Sequence, residues 1–321
     1  TDIAGNVSMP SSAPLTPLVI DTTVVAPSNP DLTDASDTCD PPGSVAPAPC
    51  DRGTHVDNIT RTNTPSFTGT AEALGRVELF AGSLSLGIAA VVGNDASDGN
   101  PTDGKGAWTF TTNWASILPI DGTYTITGRT TDQAGNTSSA SVPGLAVTID
   151  RTKPPAPTTP DLLSSSDTGS SNTDNITRGN SPAFNGVVTL TGFADSGTTV
   201  RIFDNATCTG AALGQVSPLS TRAWSFTTAA PLSDGFHSIT ASSTDSAGNV
   251  SDCSPVLSLL IDTSIAQPSL PVLDPASDSG VAPNGSNSDK ITFDNTPTLS
   301  GTVEANTTGI PQANTSVTVF D

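Results

Sequence analysis

Apolar residues in this chain fall in short runs that alternate with polar ones, the period of two that marks strands with one buried face. Val200 and Ile202 flank Arg201, and Trp224 and Phe226 flank Ser225. Leu257, Leu259 and Ile261 form a third such run, and Phe236, Ser238 and Thr240 a weaker one. Turn signals sit between the runs, among them Asp234-Gly235 and Ala247-Gly-Asn249. No stretch carries a sustained helical period. The pattern predicts an all-β protein of many short strands.

The runs repeat. Thr1-Asp-Ile-Ala-Gly-Asn6 returns as Thr131-Asp-Gln-Ala-Gly-Asn136 and Thr244-Asp-Ser-Ala-Gly-Asn249. Asp57-Asn-Ile-Thr60 returns as Asp174-Asn-Ile-Thr177 and Asp289-Lys-Ile-Thr292. Ala107-Trp-Thr-Phe-Thr-Thr112 returns as Ala223-Trp-Ser-Phe-Thr-Thr228. Val77-Glu-Leu-Phe80, Val200-Arg-Ile-Phe203 and Val317-Thr-Val-Phe320 form another set, and Val19-Ile-Asp21, Thr148-Ile-Asp150 and Leu260-Ile-Asp262 close successive units. A period near 115 residues is too long for a solenoid and matches one Ig-sized sandwich of about seven strands. The chain therefore reads as tandem Ig-like β-sandwiches arranged end to end: the tail of one unit (1–21), two whole units (22–150, repeat two, and 151–262, repeat three), and the opening of a fourth (263–321). That opening lacks the Trp-x-Phe and Asp-Gly strands of the whole repeats.

Composition sharpens this picture. Gly and Pro number 28 and 27, which suits short strands joined by many turns. The net charge is −20, and of 31 acidic residues only Glu72, Glu78 and Glu304 are glutamate. Aspartate is favoured in turns and in oxygen-ligand cages. Such a charge balance excludes a nucleic-acid partner, which needs basic patches. No apolar run reaches the length of a membrane span.

The motifs Ser166-Asp-Thr-Gly169 with Asp174-Asn-Ile-Thr177, Thr244-Asp-Ser-Ala-Gly-Asn249 and Ile261-Asp-Thr263 together resemble the bacterial Ig-like repeats of large surface adhesins and biofilm-associated proteins. The resemblance runs over the whole chain. It implies an extracellular or cell-surface location and calcium-stiffened rods that project a binding tip or link cells. The implied partners are neighbouring repeats of the same chain, with other copies in a fibre or cell-surface ligands beyond them. Repeat two departs from the pattern with a Cys-bounded, Pro-rich insertion at 39–50 and a longer stretch at 93–106. A ligand-binding module that uses those insertions to grip a glycan or protein is the alternative function. Trp114, just past the Trp108–Phe110 strand, reads as a core plug rather than a sugar platform.

Candidate chemistry is sparse. Cys39 and Cys50 bracket one loop, and a disulfide there would close it. Cys208 and Cys253 belong to one repeat and can meet if the third strand neighbours the last. An even count and within-repeat pairing favour two disulfides, since no Cys-x-x-Cys spacing suggests zinc. Calcium is expected at the junctions, because sandwich topology gathers Asp167, Asp174, Asp234 and Asp262 at one pole of repeat three and Asp37, Asp57, Asp121 and Asp150 at that pole of repeat two. Asp132 and Asp245 belong to the opposite pole, facing the preceding unit, and Asp21 to a linker. Converging carboxylates repel unless a cation neutralises them; the bland reading makes each a turn former. His55 and His237 are the only histidines and occupy unrelated positions. With no nucleophile motif or phosphate loop present, an enzyme is not expected.

Overall fold

The computed structural model describes residues 1–8, 20–38, 57–91, 93, 104–118, 120–169, 171–194, 197–279, 289–304 and 315–320. It divides into two compact units, Thr1–Thr152 and Lys153–Asp321. Among the described residues no helix is long and apolar enough to cross a membrane.

In the first unit, β1 (Asp31–Leu32), β3 (Ser66–Glu72) and β6 (Lys105–Thr111) form one sheet in the order β1-β3-β6. The facing sheet has the order β2-β8-β7-β4-β5, from β2 (Ile59–Thr60), β4 (Arg76–Ala81), β5 (Leu84–Ala90), β7 (Gly122–Thr131) and β8 (Leu145–Ile149). Every pairing is antiparallel except β2 with β8. Inward residues of both sheets make one core, with Phe67, Val77, Leu79, Ile126, Val147 and Ile149 wholly buried. The alternating runs thus act as expected, strands such as β4 and β8 giving every second residue to the core, while a register shift in β5 makes it bury Leu86 and Ala89 instead.

The second unit repeats the plan. β9 (Asp161–Leu162), β11 (Ala183–Val187) and β14 (Ala223–Thr227) form one sheet. β10 (Ile176–Thr177), β12 (Thr199–Asp204), β13 (Gly214–Val216), β15 (Gly235–Thr244) and β16 (Leu257–Ile261) form the other, in the order β10-β16-β15-β12-β13. Strand for strand this is the order of the first unit, down to the parallel β10–β16 pair. Beyond it, β17 (Val272–Leu273) pairs with β18 (Leu299–Ser300).

One packing device recurs in both cores. Gly69 is paired with Trp108 across β3 and β6, and Gly186 with Trp224 across β11 and β14. A Cβ at Gly69 would lie 2.6 Å from Trp108 Cζ2, and one at Gly186 would lie 2.5 Å from Trp224 Cζ2. The indole therefore lies flat on a bare backbone, which only glycine allows.

Among the described residues each sandwich has eight strands rather than seven, because the Asp-Asn-Ile-Thr motif forms its own short strand, β2 or β10. Among the described residues there is also one helical turn, α1 (Trp114–Ile117). It is fixed by its surroundings rather than by periodicity: Trp114 N–H donates to Asn63 O at 2.8 Å, and the buried indole stacks on Phe67 with Tyr124 at its edge. Trp114 is fully buried and offers no platform to a ligand.

Cys208 and Cys253 are disulfide-bonded, with Cα atoms 5.7 Å apart. The strand adjacency expected to bring them together is not the one found. β15 lies between β12 and β16, so the third and last strands are not neighbours. Instead the chain leaving β15 folds back along it, with Ser251 N–H bonded to Ser243 O and Ser254 N–H to Ala241 O, which carries Cys253 to the turn after β12. Cys39 and Cys50 lie outside the described residues.

Candidate cation site and the aspartate turns

The Thr-Asp-x-Ala-Gly-Asn motif is a self-closing turn. Asp132 Oδ1 accepts the Asn136 backbone N–H at 2.8 Å, and its Oδ2 accepts the Asn136 side-chain amide at 2.7 Å. Asp245 with Asn249, and Asp2 with Asn6, make the same pair of bonds. Burial opposes ionisation of Asp132, but these bonds outweigh it and hold its carboxyl below the usual aspartate range.

This turn carries Asp132 to two further carboxylates. Asp21, Glu72 and Asp132 each place an oxygen within 4.8 Å of the others, the only such group among the described residues. Glu72 ends β3, where the short connection to β4 keeps it beside the turn. Asp21 is held there by the Asn136 amide, which also donates to the Asp21 carbonyl at 3.1 Å. Burial, then the charges of Asp132 and Asp21, push the Glu72 carboxyl above its ordinary value. The donor set is oxygen only, which suits a hard cation such as calcium rather than zinc or copper. Glu72 also lines an open cleft of about 470 Å³ beside Pro27, Ser28, Thr70 and Lys105.

The other aspartates of the two predicted poles bond mainly to backbone amides. Asp57 and Asp174 cap the amides of Ile59 and Ile176, two residues on. Asp37 and Asp167 reach across their loops to the amides of Asn58 and Asn175. Asp150 and Asp262 close turns onto Thr152 and Ser264, and Asp234 accepts the Thr263 amide. Asp121 binds the Arg151 backbone and guanidinium, both at 2.9 Å, and the Thr152 hydroxyl at 2.8 Å. Burial works against the charge on Asp121, yet these donors prevail and hold its carboxyl below the usual range. Among the described residues, no three carboxylates of Asp37, Asp57, Asp121 and Asp150, or of Asp167, Asp174, Asp234 and Asp262, lie close enough to share an ion.

The bacterial Ig-like domain family matches this chain twice in tandem, over residues 38–151 and 153–263. The chain belongs to that family. Among solved structures, the chain is similar to a human OSCAR ligand-binding domain at 14% identity and a TM-score of 0.30, over 74% of this chain and 99% of that one. It is also similar to a tetra-tandem repeat in the extending region of a large adhesion protein, at 19% identity and a TM-score of 0.24. That alignment covers 80% of this chain and 62% of the other. No curated protein matches.

The two bacterial Ig-like repeats differ where the carboxylates meet. Glu72 has Thr189 as its counterpart in repeat three. There the longer β11–β12 connection lies on the Asp245 turn: Ala194 is fully buried and its carbonyl accepts the Ser246 amide at 2.9 Å. Sequence reading missed Glu72, although a signal existed. Gly69-Thr-Ala-Glu72 recurs as Gly301-Thr-Val-Glu304, so two of the three glutamates share one repeat position. His237 takes the place of Tyr124 and repeats its bond to the carbonyl four residues earlier: Nε2 meets Ser233 O at 2.8 Å, as Tyr124 Oη meets Ile120 O. Its Nδ1 meets Asp204 at 2.7 Å, so neither ring nitrogen is left to activate a nucleophile. His55 and the loop at 39–50 lie outside the described residues, as does the 94–103 part of the other insertion.

Proposed function

We propose that this chain is a structural segment of a secreted bacterial surface adhesin, a stalk or fibre portion that projects a distal function or links cells, with calcium held at the Asp21–Glu72–Asp132 group. The observation that carries the reading is the recurrence of one sandwich plan with its internal devices intact. Strand order, the glycine-seated tryptophan and the aspartate turns all return, and among the described residues the aspartates of the loops bond mainly to nearby backbone amides. A spacer needs uniform units, whereas a binding module needs at least one loop set apart with groups left to offer. Calcium would take its oxygens from Asp21, Glu72 and Asp132, tying the segment that carries Asp21 to the pole of repeat two.

A swap in the intact surface protein tests the reading. Replacing residues 22–150 by a second copy of 151–262 keeps the number of units but removes the insertions of repeat two. Adhesion should be retained when spacing is kept and should fall when one unit is deleted. Loss of adhesion in the swapped protein at unchanged surface display would transfer the function to the repeat-two loops.

A further inference from the structure

The chain between the two whole repeats runs Asp150-Arg-Thr-Lys-Pro154. It forms no strand between β8 and β9, and Thr152 and Lys153 are exposed. Exposed irregular chain is where proteases cut, and trypsin-like enzymes cut after a cation that enters their acidic S1 pocket. Lys153 is a poor place for that cut, because the bond to break runs to the ring nitrogen of Pro154, which fixes the backbone there. Arg151 is followed by threonine, so its sequence carries no such bar.

The bar is built by the fold and acts on the side chain. Arg151 Nε donates to Asp121 Oδ1 at 2.9 Å, Nη1 to Asn63 Oδ1 at 3.2 Å and Nη2 to the Leu118 carbonyl at 3.0 Å. These partners come from the β2–β3 connection, the residue after α1 and the residue before β7, so every nitrogen of the guanidinium is engaged. Asp121 Oδ2 also accepts the Arg151 amide and the Thr152 hydroxyl, which pins both residues of the bond. The Arg151 side chain is left only 18% exposed. A protease must draw that side chain out into its own pocket, so these bonds must break first. Thr22 and Thr263 stand at the same place after Asp21 and Asp262. Thr263 repeats the backbone bond, to Asp234 at 3.2 Å, but carries no cation.

We propose that the Arg151–Thr152 bond is a guarded cleavage site for trypsin-like serine proteases, closed while Asp121, Asn63 and the Leu118 carbonyl hold the guanidinium and opened when they release it. Cleavage adds water across the Arg151–Thr152 amide, leaving a carboxylate on Arg151 and an ammonium on Thr152, and separates repeat two from repeat three. The break falls at the boundary of the compact units Thr1–Thr152 and Lys153–Asp321, so each sandwich keeps its core. The site depends on the linker alone and stands whether or not the chain is a stalk.

Trypsin in limiting amount, added to the 321-residue protein, tests this, with the 1–151 and 152–321 fragments followed by mass spectrometry. A synthetic peptide spanning residues 146–158 gives the unguarded rate, and the bond in the unaltered protein should be cut far more slowly. Asp121→Asn should speed the cut at least about tenfold, the factor one charge-assisted hydrogen bond carries. Arg151→Lys should do the same, because it keeps a cation that trypsin accepts while a single ammonium cannot span three partners set around a planar fork. The Arg76–Val77 and Arg129–Thr130 bonds, in β4 and β7, should stay intact in both variants, which marks repeat two as folded. Cutting of the unaltered protein as fast as the peptide would overturn the guard. Equal rates in the unaltered protein and Arg151→Lys would also overturn it, and that comparison holds even if Asp121→Asn misfolds.

Discussion

Aspartate predominates here because of its reach. Its carboxylate, one methylene from the backbone, bonds the amide two residues on, as Asp21, Asp57, Asp150, Asp174, Asp274, Asp289 and Asp294 all do. Glutamate carries the group past that amide, so it is of little use in such turns. Glu72 is exceptional in both respects: it sits at a strand end and faces two like charges. Its carboxyl is held above the ordinary value, so the folded state keeps that proton more tightly than the unfolded chain. Without a cation, this contribution to stability is fully present below the unfolded value and is lost as pH rises through the folded one. At neutral pH, Glu72→Gln should therefore raise the melting temperature of repeat two in chelator. In calcium the same change should remove the gain that the ion gives. Opposite shifts in the two buffers, read by differential scanning calorimetry, identify a cation site; shifts of the same sign would make Glu72 an ordinary surface charge.

At the scale of elements, strand existence followed from alternation, as with Val200 and Ile202 or Trp224 and Phe226, because a half-buried strand must show period two. Connections were less legible. The pairing of Cys208 with Cys253 could be expected from their shared repeat, but the path was not, since it depends on the β15–β16 connection folding back through Ser251 and Ser254. Nor does any local pattern show that Arg151 would neutralise Asp121 from 30 residues away. Short strands such as β10 are legible only as repeats of a motif, being two residues long. The disulfide closes a separation of 45 residues. A loop of that length is worth roughly 4 kcal/mol by the chain-entropy model, and measured values commonly run lower. Cys208→Ser with Cys253→Ser should thus lower the melting temperature of repeat three by several degrees and leave that of repeat two in place, as should a reductant.

At the scale of the whole molecule, the two sandwiches carry separate cores, one around Phe67 and Trp108 and the other around Phe184 and Trp224. Separate cores permit separate unfolding transitions. The carboxylate group belongs to one of them: Asp132 and Glu72 are in repeat two, while repeat three has Thr189 at the Glu72 position and a connection lying on its Asp245 turn. A ligand that binds only the native state stabilises the unit that holds it, by an amount that grows with its concentration over Kd. Raising calcium should therefore shift one thermal transition upward and leave the other fixed, and the shifted one should be the transition insensitive to reductant. The two labels are independent, since the disulfide marks repeat three and the proposed ion would mark repeat two. Variants separate the cases further: Asp132→Asn should abolish the calcium shift, whereas Asp174→Ala, which removes only a turn bond to Ile176, should lower the second transition without touching it. Equal calcium shifts in both transitions would move the ion away from Glu72 to a feature the repeats share, and the aspartate loops at 37 and 167 would become the place to look.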